Sequence, residues 1–316
     1  MTQCKDYPQT AKNNFPYLSN MKPISLFLLF FVSISLHAQK IIDISYSVDP
    51  QGRYVFTANN KAFCTYVLRI DFPTLDNLRA DHSLPYETEI KPGPVKLITL
   101  SPIEKGKDTK LNYKSTNRKG LLNPVVNPNF TYLLPTGPGI ETQAYRIPNK
   151  PAGSTPGGQD SGYSVRLRAK QGDTIYAARR GIVSTVDVSN TENDAGASTT
   201  TNWNFVEVFH ADGSFAEYGI LKKDGALVKP GQTVEAGAPI GIVGGDQYGR
   251  GSEVRFSVSY YPGVPNTQIP LQFWTKGNGK GQLKQGGFYT SEFTKALLTA
   301  ETAKKPSPGK PSAKKH

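Results

Sequence analysis

From residue 41 onward the chain is a succession of short β-type runs broken by turn residues. Ile41 to Val48, Tyr54 to Thr57, Cys64 to Phe72 and Val95 to Leu100 are rich in β-branched and aromatic residues. Between them stand Asp49-Pro50-Gln51-Gly52, Asn59-Asn60 and Lys91-Pro92-Gly93-Pro94. Runs this short cannot make amphipathic helices, and their flanks supply turns at strand spacing. The pattern resumes at Val165 to Ala169, Thr174 to Ala178, Gly181 to Val188 and Phe205 to His210, and then at Phe215 to Leu221, Pro239 to Val243 and Glu253 to Tyr260. A mainly β fold follows. Glu292 to Ala303, behind a Ser291 cap, predicts one short helix over 291–303 with Leu297 and Leu298 on its apolar side.

With 316 residues the chain has room for two domains. Pro135 to Ser161 is dense in Gly and Pro and reads as an extended loop crossing between them. The expectation is a β-sandwich-like domain over 40–130 and an antiparallel β domain over 131–290, with a basic Pro/Lys tail over 304–316. In the second domain Gly213, Gly231 and Gly237 fall where tight turns need positive φ, and Asp212-Gly213 is a hairpin signal.

The N-terminal segment reads as an address. From Met21 one Lys precedes an apolar run from Ile24 to Ile34 and then small residues up to Ala38, the pattern of a signal peptide over 21–38. That run is too short for a membrane span of about 20 residues. Residues 1–20 read as an upstream extension before the true start, the alternative being a cytoplasmic stub of a signal anchor. Cleavage leaves Cys64 as a single cysteine, whose apolar flanks mark it as a small buried residue. The expected location is the periplasmic or extracellular face of a bacterial envelope, with no membrane span after cleavage. The net charge of +12 includes Lys304, Lys305, Lys310, Lys314 and Lys315 of the tail, which there would face an anionic wall. Zinc-finger spacing and Arg-rich helices are absent, so nucleic acid is not an expected partner.

Three pieces of the second half, read together, carry a resemblance. Tyr163-Ser164-Val165-Arg166 is followed by Ala169 to Val183, with Gly172, Ala178 and Gly181 in place. Phe205 to Gly213 contains His210-Ala211-Asp212-Gly213 and runs on to Tyr218-Gly219-Ile220-Leu221. Val228 to Gly244 leads to Gly251-Ser252-Glu253-Val254-Arg255-Phe256. In this order they resemble the lysostaphin/LytM-type zinc metallopeptidases of bacterial cell walls, over roughly residues 130–262. The resemblance implies an antiparallel β peptidase-like domain with a substrate groove.

It also implies a zinc held by one aspartate and two histidines, with two further histidines for proton transfer and oxyanion stabilisation. Here Arg166 stands at the aspartate position, Ile220 at the histidine of Y-x-H-L, and Glu253 and Arg255 at the two of H-x-H. The stretch Ser154 to Gly162, where the opening histidine belongs, has none. A catalytic zinc needs three protein donors and an open position, and a guanidinium repels the ion. His82, His210 and His316 are the histidines left after the signal peptide, without H-x-H or H-x-x-x-H spacing. His82 reads as a loop residue. His210 reads as structural, the alternative being a relocated metal site with Glu207 or Glu253. Asp173, Asp212, Glu217, Asp224, Glu235 and Asp246 read as isolated surface acids. The expectation is a pseudoenzyme without catalytic residues, metal or cofactor. Arg166, Ile220, Glu253 and Arg255 would form a cationic pocket for stem-peptide carboxylates or an acidic partner loop, the alternative being that the two arginines merely pair with Glu253 and nearby acids. Its partner would be peptidoglycan or a cell-wall hydrolase. Two other classes remain open: a zinc-dependent peptidoglycan endopeptidase, and a biotinyl or lipoyl carrier, although Gly245 to Gly251 offers no lysine to modify.

Overall fold

The computed structural model describes residues 40–148, 163–190, 203–245, 252–263 and 266–299. The extension 1–20, the signal peptide 21–38, the stretch Ser154 to Gly162 and the tail 304–316 lie outside the described residues. Among the described residues no helix is long and apolar enough to cross a membrane.

The fold is almost entirely antiparallel β. Strands β1 (Ile42–Val48), β2 (Tyr54–Asn60), β3 (Tyr66–Asp76), β4 (Leu78–Ala80), β5 (Tyr86–Ile90), β6 (Gly93–Pro102) and β7 (Lys110–Lys119) form two sheets, ordered β1-β2-β6-β4 and β5-β3-β7. Alternate residues of these strands point inward, so Phe56, Leu68, Ile70, Ile90, Ile98 and Leu100 close a core between them. Cys64 is buried and free, and burial pushes its thiol up to about 12.

A second core belongs to β8 (Thr131–Leu133), β9 (Glu141–Pro148), β10 (Tyr163–Arg168), β11 (Thr174–Tyr176), β12 (Gly181–Asp187), β13 (Phe205–Phe209), β14 (Phe215–Gly219), β15 (Leu221–Ala226), β16 (Thr233–Val234), β17 (Pro239–Val243), β18 (Glu253–Tyr260), β19 (Thr267–Gln268), β20 (Gln272–Thr275), β21 (Gly279–Gly281) and β22 (Phe288–Thr290). Its main sheet runs β16-β12-β13-β14-β18-β10-β9-β22, with β19 added on β18. Val165, Leu167, Val206, Val208, Ala216, Tyr218, Val254, Phe256 and Val258 form its buried face. By the two-residue period of a strand, the residues between them form the opposite face. That opposite face carries the groove described below.

Three sequence expectations change. The loop over Pro135 to Ser161 contains β9, which pairs with β10 and β22. Its alternation places Ala144 in the core, and Pro148 closes its end. The single strand Phe215 to Leu221 is two, because Ile220 takes a φ of 70° and turns the chain from β14 into β15. The helix is α1 (Lys295–Thr299), starting after Thr294 rather than behind Ser291. Ser291 is tied elsewhere, its N–H to the Ile140 carbonyl at 3.0 Å and its hydroxyl to the Thr136 carbonyl at 3.0 Å. Residues 300–303 of the expected helix lie outside the described residues.

Candidate binding groove

The β13–β14 hairpin sets the site. The His210 N–H bonds the Ser214 carbonyl at 2.8 Å and the Gly213 N–H bonds the His210 carbonyl at 3.0 Å, with Gly213 at a φ of 90°. The tight turn fixes the register of the two strands, so Glu207 lies directly opposite Glu217. On the other side of β14, Glu217 faces Ser257 and Gly219 faces Arg255 of β18. Arg255 in turn faces Arg166 of β10, and Arg166 faces Tyr145 of β9.

These residues share the polar face of the sheet. A groove of about 380 Å³ runs over it, lined among others by Lys119, Trp203, Glu207, Glu217, Arg255 and Tyr261. This volume lies within the range of small-ligand sites, roughly 300 to 1,000 Å³.

Of the positions singled out by the sequence, Arg255 lines this groove, and Arg166, Glu253 and Ile220 lie behind it, outside the groove wall. Glu253 is 1% exposed. Arg166 approaches its carboxylate at 3.4 Å and Arg255 at 3.7 Å. Aromatic rings hold the two guanidinium planes: Arg166 lies 4.7 Å from the Tyr145 centroid and Arg255 lies 4.6 Å from that of Trp203. Ile220 is buried against Trp203. The indole lies over β14 because Gly219 has no side chain; a Cβ there would stand 2.7 Å from the indole nitrogen. The structure therefore brings Arg166, Glu253 and Arg255 together and puts Ile220 under the Trp203 ring.

Zinc does not fit this donor set. Two positions are guanidinium, Ile220 has no donor atom, and the one acid is ion-paired with both arginines. Among the described residues no group of three or more His, Cys, Asp or Glu side chains is placed to hold a metal ion.

His210 stands apart from the groove. It is fully buried, and its Nδ1–H donates to the Arg180 carbonyl at 2.8 Å. Burial first, and the nearby Arg179 second, lower its pKa to about 3, so the ring is neutral. The neighbouring Asp212 forms a buried ion pair with Arg179 at 2.7 Å. Asp212 is thus no isolated surface acid. His82 is exposed and bonds Asp81 at 2.8 Å.

Glu217 is likewise not isolated, since it faces Glu207. Lys119 of β7 ion-pairs with Glu207, which also accepts a bond from the Ser184 hydroxyl at 2.8 Å. Burial opposes the charge on Lys119, but Glu207 outweighs it and raises the lysine pKa. Glu217 accepts a bond from the Trp203 indole N–H at 3.1 Å. Burial pushes its carboxyl above the usual range and Glu207 adds to this, against the indole bond and the opposing charges of Lys119 and Arg255.

Residues 161–267 match Peptidase family M23. The chain carries an M23 domain. No curated protein matches the chain. Solved structures similar to it include a catalytic-domain mutant of the prophage-encoded M23 protein EnpA from Enterococcus faecalis, at 21% identity. The match covers 43% of this chain and 94% of that one, with a TM-score of 0.29. The M23 metalloprotease pseudoalterin from the deep sea is 17% identical over 52% of this chain and 96% of that one, at 0.32. Helicobacter pylori Csd3 is 13% identical over 72% of this chain and 77% of that one, at 0.29. At these scores the similarities carry no functional argument, and the assignment of the M23 domain rests on the family match.

Proposed function

We propose that this M23 domain works without hydrolysis, in an exported protein that binds peptidoglycan or regulates a cell-wall hydrolase. One observation carries the reading. The positions that the family resemblance gives to metal and proton transfer hold Arg166, Ile220, Glu253 and Arg255, engaged with one another or with Trp203. The groove that reaches Arg255 has charged, hydroxyl and aromatic walls suited to a polar ligand. In this reading the cationic end takes an anionic group, because guanidinium planes bind carboxylates through paired N–H donors.

The test is incubation of the purified mature protein with isolated peptidoglycan, scoring both sedimentation with the wall and release of soluble fragments. The expected result is co-sedimentation without release, weakened by Arg166→Gln. Release of fragments that a chelator stops would establish the zinc endopeptidase instead. Neither sedimentation nor release, together with failure to capture or stimulate any wall hydrolase, would remove the envelope role.

A further inference from the structure

The groove already contains one bound ammonium group, its own. Lys119 extends from β7 into the groove, ion-pairs with Glu207, and lies 4.8 Å from the Phe215 ring centroid and 5.1 Å from that of Tyr261. A carboxylate backed by aromatic faces is a standard environment for an alkylammonium ion, which gains from both the charge and the ring quadrupoles.

The next position on the sheet has the same components. Glu217 is the cross-strand partner of Glu207, and Trp203 and Phe205 line the groove beside it. Trp203 donates its indole N–H to one carboxylate oxygen and so fixes the orientation of the group. No ion pair to Glu217 is formed among the described residues. Two like acids facing each other across a strand pair are unfavourable without a counter-charge each. Lys119 is ion-paired with Glu207, and Lys119 and Arg255 act on Glu217 without forming an ion pair to it.

From this we infer that the groove has a second ammonium seat, formed by Glu217, Trp203 and Phe205, which takes a primary amine of a ligand, such as the side chain of a basic amino acid in a peptide. The seat rests on the reading of the groove as a binding surface and gives one end of its ligand a charge.

The experiment uses the full mature chain and two small probes, Nα-acetyl-lysine methylamide and its Nε-acetylated analogue, which differ in the ammonium charge. The readout is the NMR signal of the Trp203 indole N–H, told from that of the other tryptophan, Trp274, by Trp203→Phe. The charged probe is expected to shift that signal saturably and the neutral analogue to leave it in place. Glu217→Gln keeps an acceptor for the indole but loses the charge, and should weaken binding by about tenfold or more. Equal shifts with both probes, no saturable shift with either, or wild-type affinity in a folded Glu217→Gln protein would overturn the seat. Wall binding is absent from this measurement, so the seat and the envelope role fail separately.

Discussion

Arg166 and Arg255 stand directly opposite each other on β10 and β18, and both reach the buried carboxylate of Glu253. Two facing guanidiniums would repel without it, so Glu253 holds the two together. Removing one partner of a buried ionic cluster costs about 3 kcal/mol or more, and the partial exposure of Arg166 favours the lower end of that range. Glu253→Gln should therefore lower the urea midpoint by an amount equivalent to about 3 kcal/mol. A change below about 0.5 kcal/mol, the size of an ordinary surface substitution, would show that the cluster does not contribute as described.

His210 sets an acid limit on stability. Its pKa is about 3 in the fold against an ordinary 6.5, so below pH 6.5 the unfolded chain takes up a proton that the folded chain does not. This contribution is complete above pH 6.5 and is lost progressively as the pH falls toward 3. At pH 5 the loss is about 2 kcal/mol, from 1.36 kcal/mol per unit. Asp212, whose carboxyl is held low by Arg179 against its burial, adds its own loss only below its ordinary 3.8. Unfolding curves between pH 7 and 4 should thus flatten in His210→Gln; an equal slope in the variant would refute the assignment.

Ile220 occupies left-handed backbone, with a φ of 70°, while its side chain is 1% exposed. A β-branched residue there is strained, and any Cβ costs about 1 to 2 kcal/mol relative to glycine. Both Ile220→Ala and Ile220→Gly lose the packing on Trp203, but the glycine variant should be the more stable by about 1 kcal/mol, reversing the order expected in an ordinary strand. Thermal melts of the pair decide this.

Lys119 links the last strand of the N-terminal sheets to the M23 sheet. Lys119→Met would leave the Glu207 carboxylate, 6% exposed, with only hydroxyl donors. The expected cost is again about 3 kcal/mol. Lys119→Met paired with Glu207→Met should recover much of it, because an apolar pair of similar volume avoids the buried charge. A double variant no more stable than the single would contradict this.

Much of the architecture is legible in the sequence because strand alternation and turn glycines are local signals. Gly213, Gly231 and Gly237 all adopt positive φ at turns. The juxtaposition of Arg166 with Arg255 and Glu253 follows from the resemblance, and the ion pairs to Glu253 are the alternative that the sequence offers for the two arginines. The Glu207–Glu217 pairing was available: once the Asp212-Gly213 turn is placed, counting outward along both strands puts them opposite. Lys119 and Trp203 were not. Lys119 reaches the groove from β7 across a large sequence separation, and Trp203, just before β13, folds its ring over β14; both contacts come from tertiary packing. Strand β9 was hidden because its flanks are rich in Gly and Pro, although its own residues alternate.

In the function proposed above, an ionic and aromatic cluster of Arg166, Glu253, Arg255 and Trp203 stands where the M23 family keeps its zinc. Metal content is the most direct test of that reading: mature protein equilibrated with excess zinc, dialysed, and measured by elemental analysis. The expected content is far less than one zinc per chain. One retained zinc per chain, accompanied by hydrolysis of isolated peptidoglycan, would contradict it.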